Sequence, residues 1–208
     1  MYVAATVLFA LVAIDPGRAS VQGLDDWWHN TMVSLQHPVI TIVARAFDIL
    51  GGAFITWPLR VSLSLYLGIT RRWALLTAWL ATIAVSEVAI GTLKTLYDRS
   101  RPPDALVETS GASFPSGHAT VGAATAVALV IVLFAPGEHR RVWEVRAAIF
   151  AFVMALSRTY LRAHWLSDVV AGALLGAATA IAVATVVQVV RIRRHDRAGT
   201  RAAVEEPR

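Results

Sequence analysis

The 208-residue sequence contains no cysteine, only one lysine and few charged residues of any kind. Without cysteine, the chain can form no disulfide, no thiolate metal site and no cysteine nucleophile. Charged residues make up 16% of the chain and hydrophobic residues 56%, whereas a soluble domain averages about 25% charged residues. Intrinsic disorder is therefore excluded. The net charge of +5 lies largely in residues 191–208, so nucleic acid is not an expected partner.

Long apolar runs predict an all-α bundle of membrane-spanning helices, because about 20 mostly apolar residues cross the hydrocarbon core of a bilayer. Residues 119–137 and 169–190 contain no charged residue, and residues 73–93 contain only Glu87. Three weaker candidates complete the set. They are residues 2–14, residues 51–70, which include Pro58 and Arg60, and residues 147–157, which flanking residues must extend.

The first of these segments, residues 2–14, decides whether the chain has six spans or five. Its 13 residues make a helix of only about 20 Å. A cleaved signal peptide is one alternative, although a basic n-region and a clear cleavage site are missing. A start site upstream of Met1 is another. We predict a six-helix membrane domain in residues 1–190, with five helices as the alternative.

The distribution of arginine predicts the orientation of this bundle. With the N-terminus in the cytoplasm, most basic residues outside the site described below fall on the inner side, as the positive-inside rule requires. Residues 191–208 then form a basic, mostly disordered cytoplasmic tail. The expected location is the cell membrane, with multiple spans.

Three further features concern packing within the membrane. Arg60 and Glu87 lie inside predicted spans, and we expect a structural ion pair, with a transport pathway as the alternative. Residues 39–50 are apolar at helical spacing, which predicts a helix lying along the outer interface or packed on the bundle. Gly172 and Gly176 form a small-xxx-small pattern, which we expect to seat the last helix within the bundle rather than to form a dimer.

Two polar segments occur at predicted helix ends on the outer side. In the first, Lys94 and Arg101 lie seven residues apart, on one face if the helix continues that far. Snorkelling side chains would explain them, but Lys94 is the only lysine against 18 arginines. In the second, Ser116, Gly117 and His118 open a helix, whose free N–H groups form an anion site.

The third polar segment runs from Arg158 through His164 to Asp168. His164 and Asp168 are four residues apart, so they share a face at the start of the last helix. The carboxylate can keep one ring nitrogen protonated and leave the other free as a nucleophile. The three segments together predict an anion site in which basic residues offset a phosphate charge of roughly −1.5 to −2. No metal-ligand spacing is present, so the chemistry expected is metal-free phosphoryl transfer through a phosphohistidine, with no cofactor.

The three segments resemble the signature of the type 2 phosphatidic acid phosphatase superfamily, K-x6-RP, PSGH and SR-x5-H-x3-D, at all eleven fixed positions. A chance match is on the order of 10⁻⁸. The resemblance implies that His164 attacks phosphorus, Asp168 orients it and His118 protonates the leaving oxygen. The residues implied to bind the phosphate are Lys94, Arg101, Ser116, Gly117 and Arg158.

The superfamily also includes vanadium-dependent haloperoxidases, which are large soluble proteins, so the predicted spans favour its bacterial membrane lipid-phosphate phosphatases. A site at the extracytoplasmic rim would receive substrates laterally from the bilayer. The expected substrates are phosphatidate, phosphatidylglycerophosphate or an isoprenyl diphosphate. The alternatives are a phosphotransferase using the same histidine, a phosphatase of soluble esters, and a non-catalytic transporter or scaffold that binds anionic lipid. The sequence predicts no particular oligomeric state.

Overall fold

The computed structural model describes the backbone of residues 15–205 and the side chains of residues 21–193. Within this part, the chain forms seven α-helices and no strand, which confirms the all-α prediction. The first predicted span, residues 2–14, lies outside the described residues. The helices are α1 (Asp15–Ser34), α2 (Pro38–Gly51), α3 (Ala53–Ile69), α4 (Trp73–Tyr97), α5 (Gly117–Leu133), α6 (Glu138–Tyr160) and α7 (Leu166–Glu205).

Two helices of the described part are long and apolar enough to cross a membrane. They are α4 over its whole length and α7 over Leu166–Arg193. Helices α2 and α3 meet at a bend of 43° and together make a third candidate. Helix α5 is apolar but only 17 residues long, and α6 begins with a charged turn. Two or three spans are therefore present by length and composition, and six spans stay a prediction.

Helix α5 lies at the centre of the bundle, where it packs against α4, α6 and α7. Its contact with α7 depends on two glycines. A Cβ atom on Gly172 would lie 2.7 Å from the carbonyl oxygen of Ser116, and a Cβ atom on Gly176 would overlap the carbonyl oxygen of Thr120. The small-xxx-small pattern therefore brings two helices of the same chain together, and the predicted packing role is confirmed.

The two charged residues inside the predicted spans form an ion pair, as expected. Arg60 on α3 is buried, and its Nη1 lies 2.6 Å from Oε1 of Glu87 on α4. The guanidinium also lies 5.4 Å from the ring of Trp57. The Glu87 side chain is about half-buried. This contact joins α3 to α4.

Exchanging the two charges of this pair tests its contribution. Arg60→Glu and Glu87→Arg should each destabilise the folded protein, because either change places two like charges side by side and Arg60 is buried. The double variant should recover part of that loss in a thermal melt in detergent. A double variant that melts no higher than either single variant would contradict pairing. The exposed pair Arg140–Glu144 is the control, since exchanging an exposed pair changes stability by at most about 1 kcal/mol.

Helix α2 is packed on the bundle, which was one of the two expectations for residues 39–50. Ala44 is buried in a cluster with Tyr160 of α6. The Tyr160 hydroxyl lies 3.1 Å from the Thr41 hydroxyl and donates to the His37 carbonyl. Other apolar side chains of α2, such as Ile42, stay exposed. A position along the outer interface stays a prediction.

The last helix continues further than the sequence predicted. The backbone of α7 is helical to Glu205, whereas a mostly disordered tail was expected in residues 191–208. The segment is rich in arginine and alanine, which are good helix formers, and the next proline is Pro207. A helix that has already begun in the bundle can therefore extend through it. The division of the chain at residue 190 stays a prediction.

Candidate active site

The three polar segments identified in the sequence meet at one end of the bundle. This end contains the C-terminal ends of α4 and α6 and the N-terminal ends of α5 and α7. Backbone hydrogen bonds connect the segments: the Ser116 N–H donates to the Asp168 carbonyl at 3.1 Å, and the Leu106 N–H donates to the Leu161 carbonyl at 2.9 Å. The Lys94 ammonium donates to the Ala112 carbonyl. The expected convergence is therefore present in the structure.

His164 lies buried between a carboxylate and a guanidinium. Its Nδ1 is 3.6 Å from Asp168 Oδ2 and 3.5 Å from the Ser113 hydroxyl. Its Nε2 is 3.3 Å from Nη1 of Arg101. Burial lowers the pKa of His164 to about 4, with Asp168 opposing the shift and Arg101 adding to it. The imidazole is therefore neutral at neutral pH, with Nε2 directed towards the basic residues.

The local structure around His164 differs from the one that the spacing predicted. Helix α7 begins at Leu166, so His164 precedes the helix and does not share a helical face with Asp168. The contact forms because the chain turns there. Asp168 Oδ2 accepts a hydrogen bond from the Trp165 N–H at 2.9 Å, which satisfies a free donor at the helix N-terminus.

Lys94 and Arg101 would share one helical face only if the helix continued to Arg101, and it does not. Helix α4 ends at Tyr97, and Asp98 adopts a left-handed conformation with φ of 35°. Arg101 therefore belongs to the α4–α5 connection. Its guanidinium donates to carbonyl oxygens of that connection and of the α6–α7 turn, at 2.7–2.9 Å, which fixes it beside His164. These carbonyls belong to Ser110, Gly111 and Ala163.

His118 and Arg158 face a carboxylate that the sequence analysis did not place in the site. Asp48 on α2 forms an ion pair with Nη1 of Arg158, and its Oδ1 lies 3.3 Å from Nε2 of His118. A Cβ atom on Gly51 would lie 2.7 Å from the His118 ring. The end of α2 therefore lies directly against both side chains. In the sequence, Asp48 lies on the polar side of the amphipathic segment 39–50, and it belongs to none of the three polar segments.

Ser116 and Gly117 form the N-terminus of α5, as expected. Ser116 is the N-cap, and its hydroxyl oxygen accepts from the Ala119 N–H at 3.4 Å. Gly117 is the first helical residue, and a Cβ atom there would meet no described atom within 4 Å. The other serine of this segment, Ser113, donates instead to Asp168 at 2.5 Å. Ser116 therefore caps the helix, whereas Ser113 contacts the carboxylate.

Two more charged residues contact the site without having been predicted. Arg99 donates to Asp168 Oδ1 at 2.7 Å and pairs with Asp25 of α1. Arg99 lies within the variable stretch between Lys94 and Arg101, and Asp25 lies far from every motif. Among the residues that the structure describes, no three His, Asp or Glu side chains are grouped as a metal site would require.

Comparison with known proteins identifies the family. Residues 73–192 match the sequence model of the PAP2 superfamily, which is more than half of the chain. The chain belongs to the PAP2 superfamily, and the resemblance of its signature is confirmed. Helices α1 to α3, with Asp25 and Asp48, lie outside the matched residues.

Two relatives extend the comparison to nearly the whole chain. Phosphatidylglycerophosphatase B of Bacillus subtilis (strain 168) is 27% identical over 175 residues, which cover 82% of this chain and 86% of that protein. The crystal structure of the first transmembrane PAP2 type phosphatidylglycerolphosphate phosphatase from Bacillus subtilis is similar with a TM-score of 0.75 and 27% identity, over 88% of this chain and 91% of that one. The present chain therefore has the helical membrane fold of a PAP2 phosphatase.

A third similarity bears on the fold alone. The crystal structure of LpxE from Aquifex aeolicus matches with a TM-score of 0.62 and 24% identity, over 74% of this chain and 91% of that one. Its helices follow the same arrangement at lower sequence identity. The same arrangement of helices is therefore found in two solved structures that differ from this chain at most positions of the sequence.

Proposed function

We propose that this protein is a membrane lipid-phosphate phosphatase that works through a phosphohistidine on His164. The substrate is a phosphomonoester or diphosphate on a lipid, such as phosphatidate, phosphatidylglycerophosphate or an isoprenyl diphosphate. The observation that carries the proposal is the neutral, buried His164, with Asp168 on Nδ1 and Arg101 on Nε2, at one end of a bundle of apolar helices. The similarity to phosphatidylglycerophosphatase B favours phosphatidylglycerophosphate within this class.

In the proposed first step, Nε2 of His164 attacks phosphorus and the bond to the leaving oxygen breaks. His118 gives a proton to that oxygen, so that a neutral alcohol or a protonated phosphate departs. Asp168 accepts a hydrogen bond from Nδ1 and stabilises the positive charge that develops on the ring. In the second step, water attacks phosphorus, the P–N bond breaks, and His118 takes the proton from the water.

The remaining predicted site residues bind the phosphate in this mechanism. Lys94, Arg101 and Arg158 offset its charge of roughly −1.5 to −2. The Ser116 hydroxyl and the Gly117 N–H donate to the phosphate oxygens at the start of α5, where the helix dipole favours an anion. Lys94 and Arg101 are already held by hydrogen bonds to carbonyl oxygens. They therefore need little reorganisation when negative charge spreads over the phosphate oxygens in the transition state.

A lipid substrate is supported by an apolar cavity that ends beside His118. It has a volume of about 520 Å³ and lies between α3, α5 and α6. Gly51 and Met154 line its end nearest the imidazole, and Phe150 lies further along. An acyl or isoprenyl chain in this cavity would keep its phosphate at the basic residues. We place this site at the extracytoplasmic rim of a six-span bundle in the cell membrane, on the arginine distribution in the sequence.

A substrate panel tests this function. Purified protein in detergent should release inorganic phosphate from phosphatidylglycerophosphate and phosphatidate much faster than from a water-soluble phosphate ester. Equal rates would indicate a soluble-substrate phosphatase. Transfer of the phosphate to an added alcohol, in place of release, would indicate a phosphotransferase. Activity should persist with a chelator, and its loss would point to a required cation.

The pH dependence of kcat/KM should be bell-shaped. His164 must be neutral to attack, so activity should rise with increasing pH through about 4, its pKa in the free protein. Activity should fall again at the pH where His118 loses its proton. Burial and the charge of Arg158 lower the pKa of His118 to about 4 in the free protein, so the two limbs should lie close together and kcat/KM should be greatest at acidic pH. The ionisation of the substrate phosphate is measured separately by ³¹P NMR. A flat profile would show that a step other than proton transfer limits the rate.

A further inference from the structure

A cluster of buried charged side chains connects Asp168 to helix α1. Arg99 lies at its centre: Nη1 donates to Asp168 Oδ1 at 2.7 Å, and Nη2 donates to Asp25 Oδ2 at 2.7 Å. Both carboxylates are fully buried, and Arg99 is 7% exposed. One guanidinium therefore bridges two carboxylates in the protein interior.

Two neutral side chains complete the hydrogen bonding of this cluster. Arg99 also donates to the Gln22 amide oxygen at 2.8 Å and to the Ser167 hydroxyl at 2.6 Å. Asp25 accepts from the Ser167 N–H at 2.8 Å and from the Ser167 hydroxyl at 2.6 Å. Asp25 thus holds both Arg99 and the first turn of α7, the turn that contains Asp168.

The proposed reaction leaves Arg99 and Asp25 without a role. Neither is a fixed position of the signature, and neither side chain contacts His164 in the hydrogen bonds and ion pairs of the described residues. Packing α1 against α7 does not by itself call for charges, because apolar side chains of similar volume often stabilise a buried contact equally well or better. Arg99 contacts Asp168, the carboxylate that orients His164. Asp25 contacts Ser167, in the helical turn that contains Asp168.

We propose that Asp25 and Arg99 are positioning residues that hold Asp168 in the orientation His164 needs, with their own charges balanced. The planar fork of Arg99 fixes Asp168 through Oδ1 and leaves Oδ2 to Ser113, Trp165 and His164. A lone guanidinium at this distance would also weaken the field of Asp168 on the imidazole. Asp25 compensates that charge, so that Asp168 is held in place while its negative charge still acts on His164. This inference rests on the proposed nucleophile.

The balance of charge predicts opposite effects for the two residues. The groups facing His164 are Asp168 from α7, Arg101 from the α4–α5 connection and Arg158 from α6, which is bound in turn by Asp48 of α2. Removing the charge of Arg99 leaves an excess of negative charge and should raise the pKa of His164. Removing the charge of Asp25 leaves an excess of positive charge and should lower it.

Three variants of the full-length protein in detergent test the proposal: Arg99→Gln, Asp25→Asn and the double variant. The His164 pKa is read by NMR titration of ¹⁵N-histidine-labelled protein, with His164→Ala used to assign the signal. Arg99→Gln should raise the pKa by about one unit, a tenfold change in protonation. Asp25→Asn should leave His164 neutral throughout the range above pH 4. The double variant should titrate like the unsubstituted protein, because the removed charges cancel.

Phosphate release separates positioning from structural support. It should fall at least tenfold in all three variants, including the double one, because Asp168 loses the fork that holds it. Arg99→Lys keeps the charge without the fork, so it should leave the pKa near 4 and still lower kcat. Glu138→Gln is the control: Glu138 is exposed on the first turn of α6, at the end of that helix opposite to Arg158, and should change neither readout.

Several outcomes would overturn the proposal. One is a pair of single variants whose pKa values shift in the same direction or not at all. Another is a double variant with full activity, which would reduce the pair to a structural contact. If a single variant does not fold, the charge-neutral double variant and Arg99→Lys still decide the question. If the unsubstituted protein released no phosphate, the proposed function would fail, while the titration would still test the charge balance.

Discussion

His164→Ala is expected to abolish phosphate release, lowering kcat by a factor on the order of 10⁴ or more. The expectation follows from the loss of the nucleophile itself, since removing a nucleophile costs orders of magnitude more than weakening substrate binding. His118→Ala should have a smaller effect, about 10²–10⁴-fold, which is the usual contribution of general acid–base catalysis. The rates are measured as inorganic phosphate released from a detergent-solubilised lipid phosphate.

Controls make this result specific to His164. His139→Ala should leave the rate unchanged, because His139 lies on the first turn of α6, packed against Phe134 and Trp143 far from the site. Each variant must elute from size exclusion and melt as a folded membrane protein. Retention of most activity by a folded His164→Ala variant would remove the nucleophile assignment and would favour a protein that binds anionic lipid without turnover.

Gly176→Leu is expected to have the largest effect on folding. A side chain at this position would overlap the Thr120 carbonyl and lie 2.9 Å from the Ala124 backbone nitrogen. Overpacking a core typically costs about 1–3 kcal/mol. Here the obstacle is backbone, which cannot turn away, so the cost should reach or exceed that range. We expect a large fall in the melting temperature in detergent and loss of activity, since α5 and α7 carry His118 and Asp168.

The matched control for this variant is Gly91→Leu on α4. A Cβ atom on Gly91 would meet no described atom within 4 Å, so this variant should fold and melt normally. The oligomeric mass in detergent is measured for both. A Gly176→Leu variant that folds normally but changes its oligomeric mass would contradict packing within the chain and would indicate an interface between chains.

Much of the candidate site could be predicted because its chemistry is encoded in short segments. Residue types and spacing within each segment were enough to select His118, His164 and Asp168 and the basic residues around them. The local geometry was predicted less well. Arg101 lies beyond the end of α4 and His164 lies before the start of α7, because the chain leaves helical geometry at positions that the spacing did not mark.

The contributions of the N-terminal helices could not be predicted. Asp48 lies 110 residues from Arg158, and Asp25 lies 74 residues from Arg99. Each occurs in an amphipathic helix, where an acidic residue is ordinarily a solvated side chain. Only the packing of α1 and α2 onto the end of the bundle turns these carboxylates towards buried cations.

The amino-acid sequence by itself determined the all-α membrane class and the superfamily, and it predicted the residues of the candidate site that the fold brings together. The high content of apolar residues indicates that the chain lies in a bilayer, and the motifs are short local patterns that can be recognised without knowledge of the fold. The tertiary structure alone decided which carboxylates meet which cations. Those pairings depend on burial and on contacts between helices that are distant in the chain. A buried charge without a partner is strongly destabilising, so the way the helices pack decides which oppositely charged residue it contacts.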